Sequence, residues 1–484
     1  MFRHLRWISF LAIALLSIGA DWDRFRGPNG SGIAEATSLP TVFGHDKNLI
    51  WKTPLPPGHS SPILSRDRVF LTGVENDKLY LIAVDRQTGR IAWRRESPRV
   101  RTERLHKLNS PASATPVTDG KQVYAFFGDY GLVCYDWTGR EKWRTPLGPF
   151  SNVYGMGVSP IVVGDDVVLV VDQSLDSYIA AFRKTNGALR WKTLRPDAIS
   201  GSSVPALHRD SQGRLQIIAP SSRRMDAYDA GTGEVLWQVT GLPGEMKSQP
   251  VLDGQRLFVN GYASPDNEAG NIRPVPAFEE GLAAEDTNHD GFVAREEARD
   301  VRAKSAWQFI DLNTDGRLDR EEWEKYRALM ASENALLAYS LADSRLPVAP
   351  KLLWKYQRAI PQLPSIVVYQ GVLYMISDSG ILTTLDPTTG QVFKQSRLRG
   401  VPGSYLASIV AADGKIFIAS QSGIVAVLKA GGDQELLSAN NLDEDIFATP
   451  AIDRNRIFIR TVGALYCFGV LDDKRVTAQL RRNR

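Results

Sequence analysis

The chain has 484 residues, of which 43% are hydrophobic and 23% are charged, a balance typical of a folded globular protein. A formal net charge of +4 is too small to indicate a nucleic-acid-binding protein, and two cysteines exclude a disulfide framework, a four-cysteine zinc site and an iron–sulfur centre. At roughly 150 residues per domain the length predicts about three domains, although one large closed β-structure with an insertion is also compatible with it.

The first twenty residues have the pattern of a secretory signal peptide. Arg3 and Arg6 precede an apolar run over residues 7–18, and Gly19 and Ala20 provide a small-residue cleavage site. The run is shorter than the roughly 20 apolar residues that a membrane-spanning helix needs. We therefore expect an exported chain, periplasmic or secreted, with no transmembrane segment after cleavage. Removing the two arginines lowers the net charge from +4 to +2.

A short Ser/Thr-x-Pro motif recurs along the rest of the chain. The third residues of its copies, two of them degenerate, fall at positions 62, 116, 160, 205, 250, 366, 409 and 450. The steps between them are 41 to 54 residues long, except for one step of 116 residues. Periods of this length are typical of repeat architectures. The sequence therefore predicts eight equal units, the fifth of which contains an insertion.

Each unit contains short β-branched runs separated by turn residues, which predicts four antiparallel strands. In four units a tryptophan follows the glycine of a Thr-Gly or Asn-Gly turn by four residues, as Trp93 follows Gly89. Eight such sheets arranged radially make a β-propeller. Because the last unit is one strand short, we expect the strand around Trp51 to complete it and close the ring.

The pattern Ala83-Val84-Asp85-x-x-Thr88-Gly89-x-x-x-Trp93, repeated at 228–237, resembles the tryptophan-docking repeat of pyrroloquinoline-quinone-like (PQQ-like) β-propellers. The one-per-blade spacing predicts that these tryptophans pack between neighbouring blades rather than bind a ligand. They are Trp51, Trp93, Trp143, Trp191, Trp237 and Trp354. Units six and seven have Lys394 and Leu436 at this position, so we expect looser docking there. The family includes quinoprotein dehydrogenases, assembly factors and sensor domains, so the resemblance implies a fold and not an activity.

Two acidic loops in the insertion resemble the twelve-residue calcium loop of EF-hands. Calcium prefers six to eight oxygen ligands, and glycine at position six allows the sharp turn that gathers them. In the first loop the predicted ligands are Asp286, Asn288, Asp290, the backbone carbonyl of Phe292, and Glu297. In the second loop they are Asp311, Asn313, Asp315, the backbone carbonyl of Arg317, Asp319 and Glu322. The apolar residues at position eight, Val293 and Leu318, predict a short β-pairing between the loops.

The second loop has four carboxylates and the first has three, because Ala294 stands at position nine where the second loop has Asp319. We therefore predict two calcium sites, of which the second binds more tightly. Only thirteen residues, 298–310, separate the loops, so we expect one helix that leaves the first loop and enters the second. This short spacing favours a structural or calcium-tuned module over a calmodulin-like switch.

Quinoprotein dehydrogenases of this fold hold their quinone between a tryptophan and, commonly, two adjacent cysteines, above a central calcium. In this chain Cys134 and Cys467 lie far apart at the ends of apolar runs, so a bound PQQ is not expected. No nucleophile, phosphate-loop or histidine metal motif predicts a catalytic site. The basic segment 94–107 is either a solvated loop or, with Arg99, Arg101 and Arg104, a site for an anionic ligand such as an acidic glycan.

The predicted architecture is an all-β, eight-bladed β-propeller closed by an N-terminal strand, with a small helical EF-hand insertion in blade five. The predicted segments are a signal peptide (1–20), an N-terminal extension (21–47), two propeller parts (48–262 and 335–470), the insertion (263–334) and a basic tail (471–484). Two functions stay open: an exported calcium-binding scaffold for an unknown protein or ligand on a propeller face, or a periplasmic quinone-dependent oxidoreductase.

Overall fold

The computed structural model describes residues 22–342 and 348–470, so the predicted signal peptide and basic tail lie outside the described residues. The described residues form eight four-stranded antiparallel sheets, which make an eight-bladed β-propeller. No helix in this part of the chain is long and apolar enough to cross a membrane. The core lies in and between the sheets, where alternating β-branched and aromatic side chains are almost fully buried.

The first four blades follow one another along the chain. An N-terminal strand, β1 (Leu49–Pro54), precedes them. Blade one contains β2 (Ile63–Ser65), β3 (Arg68–Glu75), β4 (Lys78–Asp85) and β5 (Ile91–Ser97). Blade two contains β6 (Val117–Thr118), β7 (Gln122–Phe127), β8 (Gly131–Asp136) and β9 (Glu141–Pro146). Blade three contains β10 (Ile161–Val163), β11 (Asp166–Val171), β12 (Tyr178–Arg183) and β13 (Leu189–Leu194). Blade four contains β14 (Ala206–Arg209), β15 (Leu215–Ser221), β16 (Arg224–Asp229) and β17 (Val235–Thr240).

Blade five begins with β18 (Val251–Asp253) and β19 (Arg256–Gly261), and its chain then leaves the sheet. The excursion contains α1 (Phe278–Glu285), β20 (Val293–Ala294), α2 (Val301–Ile310), β21 (Arg317–Leu318) and α3 (Arg320–Met330). Blade five ends with β22 (Ala335–Ser340), which pairs with β19, and β23 (Lys351–Tyr356). We call residues 263–334 the insertion.

Blades six and seven repeat the four-stranded pattern. Blade six contains β24 (Val367–Tyr369), β25 (Val372–Ile376), β26 (Ile381–Leu385) and β27 (Val392–Arg397). Blade seven contains β28 (Val410–Ala412), β29 (Lys415–Ala419), β30 (Ile424–Lys429) and β31 (Leu436–Asn441). Blade eight contains β32 (Ala451–Asp453), β33 (Arg456–Arg460) and β34 (Ala464–Gly469), and β1 pairs with β34 as its fourth strand. The first and last parts of the chain therefore share this sheet, and blade eight has four strands like the other blades.

The repeated tryptophans pack between blades, as their spacing predicts. The indole N–H of Trp93 in blade one donates to the carbonyl of Trp137 in blade two at 3.1 Å, and Trp143 donates to Lys184 of blade three at 2.7 Å. The turn glycine of the next blade lies against the indole ring: a Cβ on Gly139 would come within 2.8 Å of Trp93. The turn thus needs glycine both for its positive φ and for the space that the indole takes.

Blade six keeps part of this docking without tryptophan. The Nζ of Lys394 donates to the carbonyl of Asp433 in blade seven at 2.7 Å, in the place where Trp93 and Trp143 use an indole N–H. The side chain of Lys394 is exposed, so it supplies the hydrogen bond without the buried ring. Blade six therefore keeps the hydrogen bond to the next blade but lacks the buried indole ring.

The insertion has a small core of its own. Its largest members are Phe278, Trp307, Trp323, Tyr326 and Met330, all buried. The helix between the loops begins at Val301, later than residue 298, because the side chain of Asp300 accepts a hydrogen bond from the Arg302 N–H and caps it. The chain that follows the first loop therefore forms a turn before the helix begins. This corrects the expectation of one shared helix over residues 298–310.

Candidate functional site

The axis of the propeller opens into a cavity of about 570 Å³, which we call the funnel. Its walls come from the loops that enter the innermost strands of several blades, and Gln308 and Phe309 from α2 of the insertion cover part of it. Phe25 of the N-terminal segment also lines it. A volume of this size fits a drug-sized organic molecule.

A ring of hydroxyl groups lines the funnel where the innermost strands begin. Each of the six side-chain oxygens accepts the backbone N–H of the ring position in the preceding blade, as Thr115 accepts from Ser61 at 2.9 Å and Ser61 accepts from Thr449 of blade eight at 3.0 Å. The six hydroxyl residues are Ser61, Thr115, Ser159, Ser365, Ser408 and Thr449. Blades four and five have Val204 and Gln249 at this position. The Ser/Thr-x-Pro motif is therefore the inter-blade link of the central channel.

The N-terminal extension runs along the channel beside this ring. The Trp22 carbonyl accepts from Leu64 of blade one, and the Asn29 side chain exchanges two hydrogen bonds of 2.8 Å with Leu207 of blade four. Arg24 donates to the Pro205 carbonyl and Arg26 to the Ile366 carbonyl, each at 2.6 Å. The extension thus connects blades one, four and six, a role that no motif in the sequence indicates.

A polar cluster on the funnel wall connects the propeller to the insertion. The Tyr154 hydroxyl donates to Glu245 Oε1 at 2.6 Å, and Lys247 Nζ donates to Glu245 Oε2 at 2.5 Å. Burial, and next the Glu245 carboxylate, raise the pKa of Tyr154 far above its ordinary value, so it remains a donor. The Tyr154 ring lies 5.1 Å from that of Phe309 on α2, centroid to centroid. Movement of α2 would therefore change the shape of the funnel.

Across the funnel, the His59 ring stacks on Phe447 with centroids 3.9 Å apart and planes 7° from parallel. Burial, and next the charge of Arg460, lower the pKa of His59 to about 4. The imidazole is therefore neutral at pH 7 and suits an apolar stacking surface. His106, another of the six histidines that are scattered in the sequence, also lines the funnel.

The two predicted calcium loops adopt the same conformation. The position-six amide donates to the first aspartate in both, from Gly291 to Asp286 at 3.0 Å and from Gly316 to Asp311 at 3.1 Å. Equivalent bonds join the other predicted ligand positions to loop amides. Val293 pairs with Leu318 across the short β20–β21 ladder. Each loop thus holds its acidic side chains through hydrogen bonds from its own backbone amides.

In both loops the glutamate at position twelve accepts hydrogen bonds from loop amides, as Glu322 accepts from Leu312 at 2.8 Å. Within the described residues, no group of three or more His, Cys, Asp or Glu side chains meets in a metal-binding arrangement, and that includes these loops. One carboxylate oxygen, Asp311 Oδ1, is buried and has no hydrogen-bond partner, while Oδ2 accepts from the Trp307 indole at 3.0 Å. A buried, unpaired carboxylate oxygen favours a cation beside it.

The arginine-rich segment 94–107 does not present a free cationic patch. Arg99 pairs with the buried Asp129 at 2.7 Å and with Asp77 at 2.9 Å. Arg101 pairs with Glu103 and donates to two backbone carbonyls. Arg104 donates to Gln308 of the insertion at 3.1 Å. Internal carboxylates and carbonyls therefore occupy the guanidinium groups that the anionic-ligand hypothesis requires, and the segment connects blade one, blade two and the insertion.

The funnel does not fit a quinone held in the manner of the quinoprotein dehydrogenases. Cys134 lies in blade two and Cys467 in blade eight, and burial is the main cause that raises the pKa of both thiols. No tryptophan and no carboxylate lines the funnel within the described residues, so it lacks both an indole platform and acidic ligands for a central calcium.

Comparisons with known proteins agree with this architecture. A family model described as the outer membrane protein assembly factor BamB matches residues 40–174, 175–275 and 312–476, most of the chain. No curated protein has a matching sequence. Structures of similar fold include BamB from Moraxella catarrhalis (13% identity, TM-score 0.55, 87% of this chain and 99% of that one). A europium-containing methanol dehydrogenase is also similar (10% identity, TM-score 0.59, 93% of this chain and 98% of that one). So is the quinohemoprotein alcohol dehydrogenase from Comamonas testosteroni (12% identity, TM-score 0.57, 94% of this chain and 81% of that one). Identities this low show a shared fold alone.

Proposed function

Since the chain belongs to the family of the outer membrane protein assembly factor BamB, we propose that it is an exported, calcium-binding β-propeller that acts as a protein-binding scaffold. The observation that carries this proposal is the chemistry of the funnel, which is lined by aromatic rings, amides, hydroxyl groups, two histidines and Lys247 but by no carboxylate within the described residues. Such a lining suits binding better than acid–base or metal-assisted catalysis. The BamB structure from Moraxella catarrhalis supports the scaffold through its fold.

Calcium would bind in the two loops of the insertion, which we propose to be an EF-hand pair. The identical loop turns at Gly291 and Gly316 and the unpaired Asp311 Oδ1 support this assignment. Binding would require Glu297 and Glu322 to exchange their amide hydrogen bonds for the metal, which supplies a stronger charge interaction. Calcium would then stiffen the insertion where Phe309 contacts the funnel wall.

The calcium assignment is tested by calorimetric titration of the mature protein after its metal has been removed with a chelator. We expect two binding events, the tighter of which disappears in Asp311→Ala and the weaker in Asp286→Ala. These two variants form a matched pair, because each removes the position-one carboxylate of one loop. A larger loss of total affinity from Asp286→Ala would contradict the ordering of the sites, and unchanged titration of the double variant would contradict the assignment itself.

The alternative function, a periplasmic quinone-dependent oxidoreductase, rests on the fold that the chain shares with the two alcohol-oxidising enzymes. Against it stand the separate, buried positions of Cys134 and Cys467 and the absence of carboxylates from the described funnel lining. The two functions differ in what the purified protein should contain, since an oxidoreductase of this kind binds one quinone per chain.

A further inference from the structure

The residues that line the funnel include a cationic side chain but no anionic one within the described residues. Within the described residues its polar groups are hydroxyls, amides, two histidines and Lys247, and no aspartate or glutamate faces it. The carboxylate of Glu245, behind this lining, is bound by the lining residues Tyr154 and Lys247 on the blade five side. An anion entering the funnel on the opposite side would therefore meet no carboxylate from its lining.

The hydroxyl ring provides donors for such an anion. Each of its six side-chain oxygens accepts a backbone N–H from the preceding blade, and none donates a hydrogen bond to another described residue. The hydroxyl protons are therefore free for an acceptor in the cavity that the ring lines. Blades seven, eight and one contribute three consecutive donors, Ser408, Thr449 and Ser61, which we call the donor arc.

Buried arginines flank the donor arc. Arg26 is fully buried and bonds the carbonyl of Ile366, the residue after the ring position of blade six. Arg460 is 1% exposed and bonds the carbonyl and hydroxyl of Ser60, the residue before the ring position of blade one. Neither has a carboxylate partner among the described residues, and both have guanidinium nitrogens with no hydrogen-bond partner. Burial lowers the pKa of each to about 9.

Burying two guanidinium groups without a carboxylate partner costs free energy, and an anion nearby would reduce this cost. An apolar surface lines the same cavity as the donor arc, because His59 and Phe447, each two residues before a donor-arc hydroxyl, stack on each other there. Phe25 and Leu406 extend this apolar surface within the same cavity. The arrangement combines oxyanion donors at the base with room for an apolar body beside them.

We propose that the donor arc binds the carboxylate of a small organic acid whose apolar body stacks against Phe447 and His59. Such a ligand would take one charge into the positive field of Arg26 and Arg460 and would accept hydrogen bonds from Ser408, Thr449 and Ser61. This binding site goes beyond the proposed scaffold function and does not depend on the calcium loops, which lie in the insertion.

The test compares benzoate with benzamide, an uncharged molecule of the same shape, by calorimetry on the calcium-saturated mature protein. We expect benzoate to bind at least about tenfold more tightly, because only the carboxylate gains charge-assisted hydrogen bonds. Ser408→Val should weaken benzoate by about tenfold and leave benzamide unchanged. Ser159→Val is the matched control: it removes an equally buried ring hydroxyl from blade three, on the opposite side of the channel.

Valine already stands at the ring position of blade four, so the fold accepts it there, and thermal unfolding would verify that both variants remain folded. Benzoate preference, lost in Ser408→Val and kept in Ser159→Val, supports the site. Equal binding of benzamide, equal losses in the two variants, tighter binding of inorganic phosphate than of benzoate, or no benzoate binding at millimolar concentration would each overturn it.

Discussion

The contact between a turn glycine and the preceding blade's tryptophan makes a quantitative prediction. Gly139 has φ +80°, and a Cβ added there would meet the Trp93 ring at 2.8 Å. Gly213 has the same φ of +80°, and nothing lies within 4 Å of its Cβ position. Alanine at either position incurs the left-handed backbone strain of about 1–2 kcal/mol. Only Gly139→Ala also forces the tryptophan to move, which adds about 1–3 kcal/mol.

The free energy of unfolding, from urea denaturation, should therefore fall by about 2–5 kcal/mol in Gly139→Ala and by about 1–2 kcal/mol in Gly213→Ala. In a Trp93→Ala background the two glycine substitutions should have equal effects, because the obstructing ring is gone. Equal losses in the wild-type background would refute the docking argument. A difference that persists without Trp93 would show that another contact is responsible.

Three further predictions concern the insertion, a buried ion cluster and the funnel. Calcium should change the fluorescence of Trp307, because its indole donates to Asp311 and metal binding would alter that bond. Arg195→Met should destabilise the fold by about 3–5 kcal/mol, because it leaves the buried carboxylate of Asp172 without its cation. Unfolding free energy should decline as the pH falls from 6.5 to 4, by up to about 3 kcal/mol, because the unfolded chain protonates His59 before the folded protein does.

Each of these predictions has a control. The calcium-dependent fluorescence change should vanish in Trp307→Phe, and its persistence would assign it to another tryptophan. Arg144→Met removes an arginine from an exposed pair with Glu141 and should change stability by at most about 1 kcal/mol. His59→Phe retains a ring beside Phe447 and should flatten the pH dependence between 6.5 and 4; an unchanged slope would contradict the neutral, buried histidine.

The propeller could be predicted because its signals are local and repeated. The Ser/Thr-x-Pro motif and the turn glycine with its tryptophan occur within single units, and eight copies define the period even where Lys394 replaces the tryptophan. The pattern of the two acidic loops is equally local, because twelve consecutive residues contain all of it, and calcium binding there stays a prediction. The start of α2 could not be read from the loop spacing, since it depends on the cap that Asp300 provides.

The funnel could not be predicted in the same way, because its parts are distant in sequence. His59 and Phe447 stack although they belong to opposite ends of the chain, and Phe25 comes from the N-terminal extension, which has no repeat. The buried Arg26 and Arg460 have no motif that marks them as neighbours of the hydroxyl ring. Such a site follows only from the closure of the ring. The sequence also left two interpretations of segment 94–107 open, since charge in a loop does not reveal that Asp77 and Asp129 pair with Arg99 in the fold.

The central claim, a calcium-binding scaffold without a quinone, is tested most directly by an absorption spectrum of the purified mature protein before and after addition of PQQ and calcium. Because the funnel lining of the described residues lacks carboxylates and the cysteines lie in separate blades, we predict no quinone absorption at first and no stoichiometric uptake afterwards. One bound quinone per chain, retained through gel filtration, would contradict the account and establish the oxidoreductase function as the better alternative.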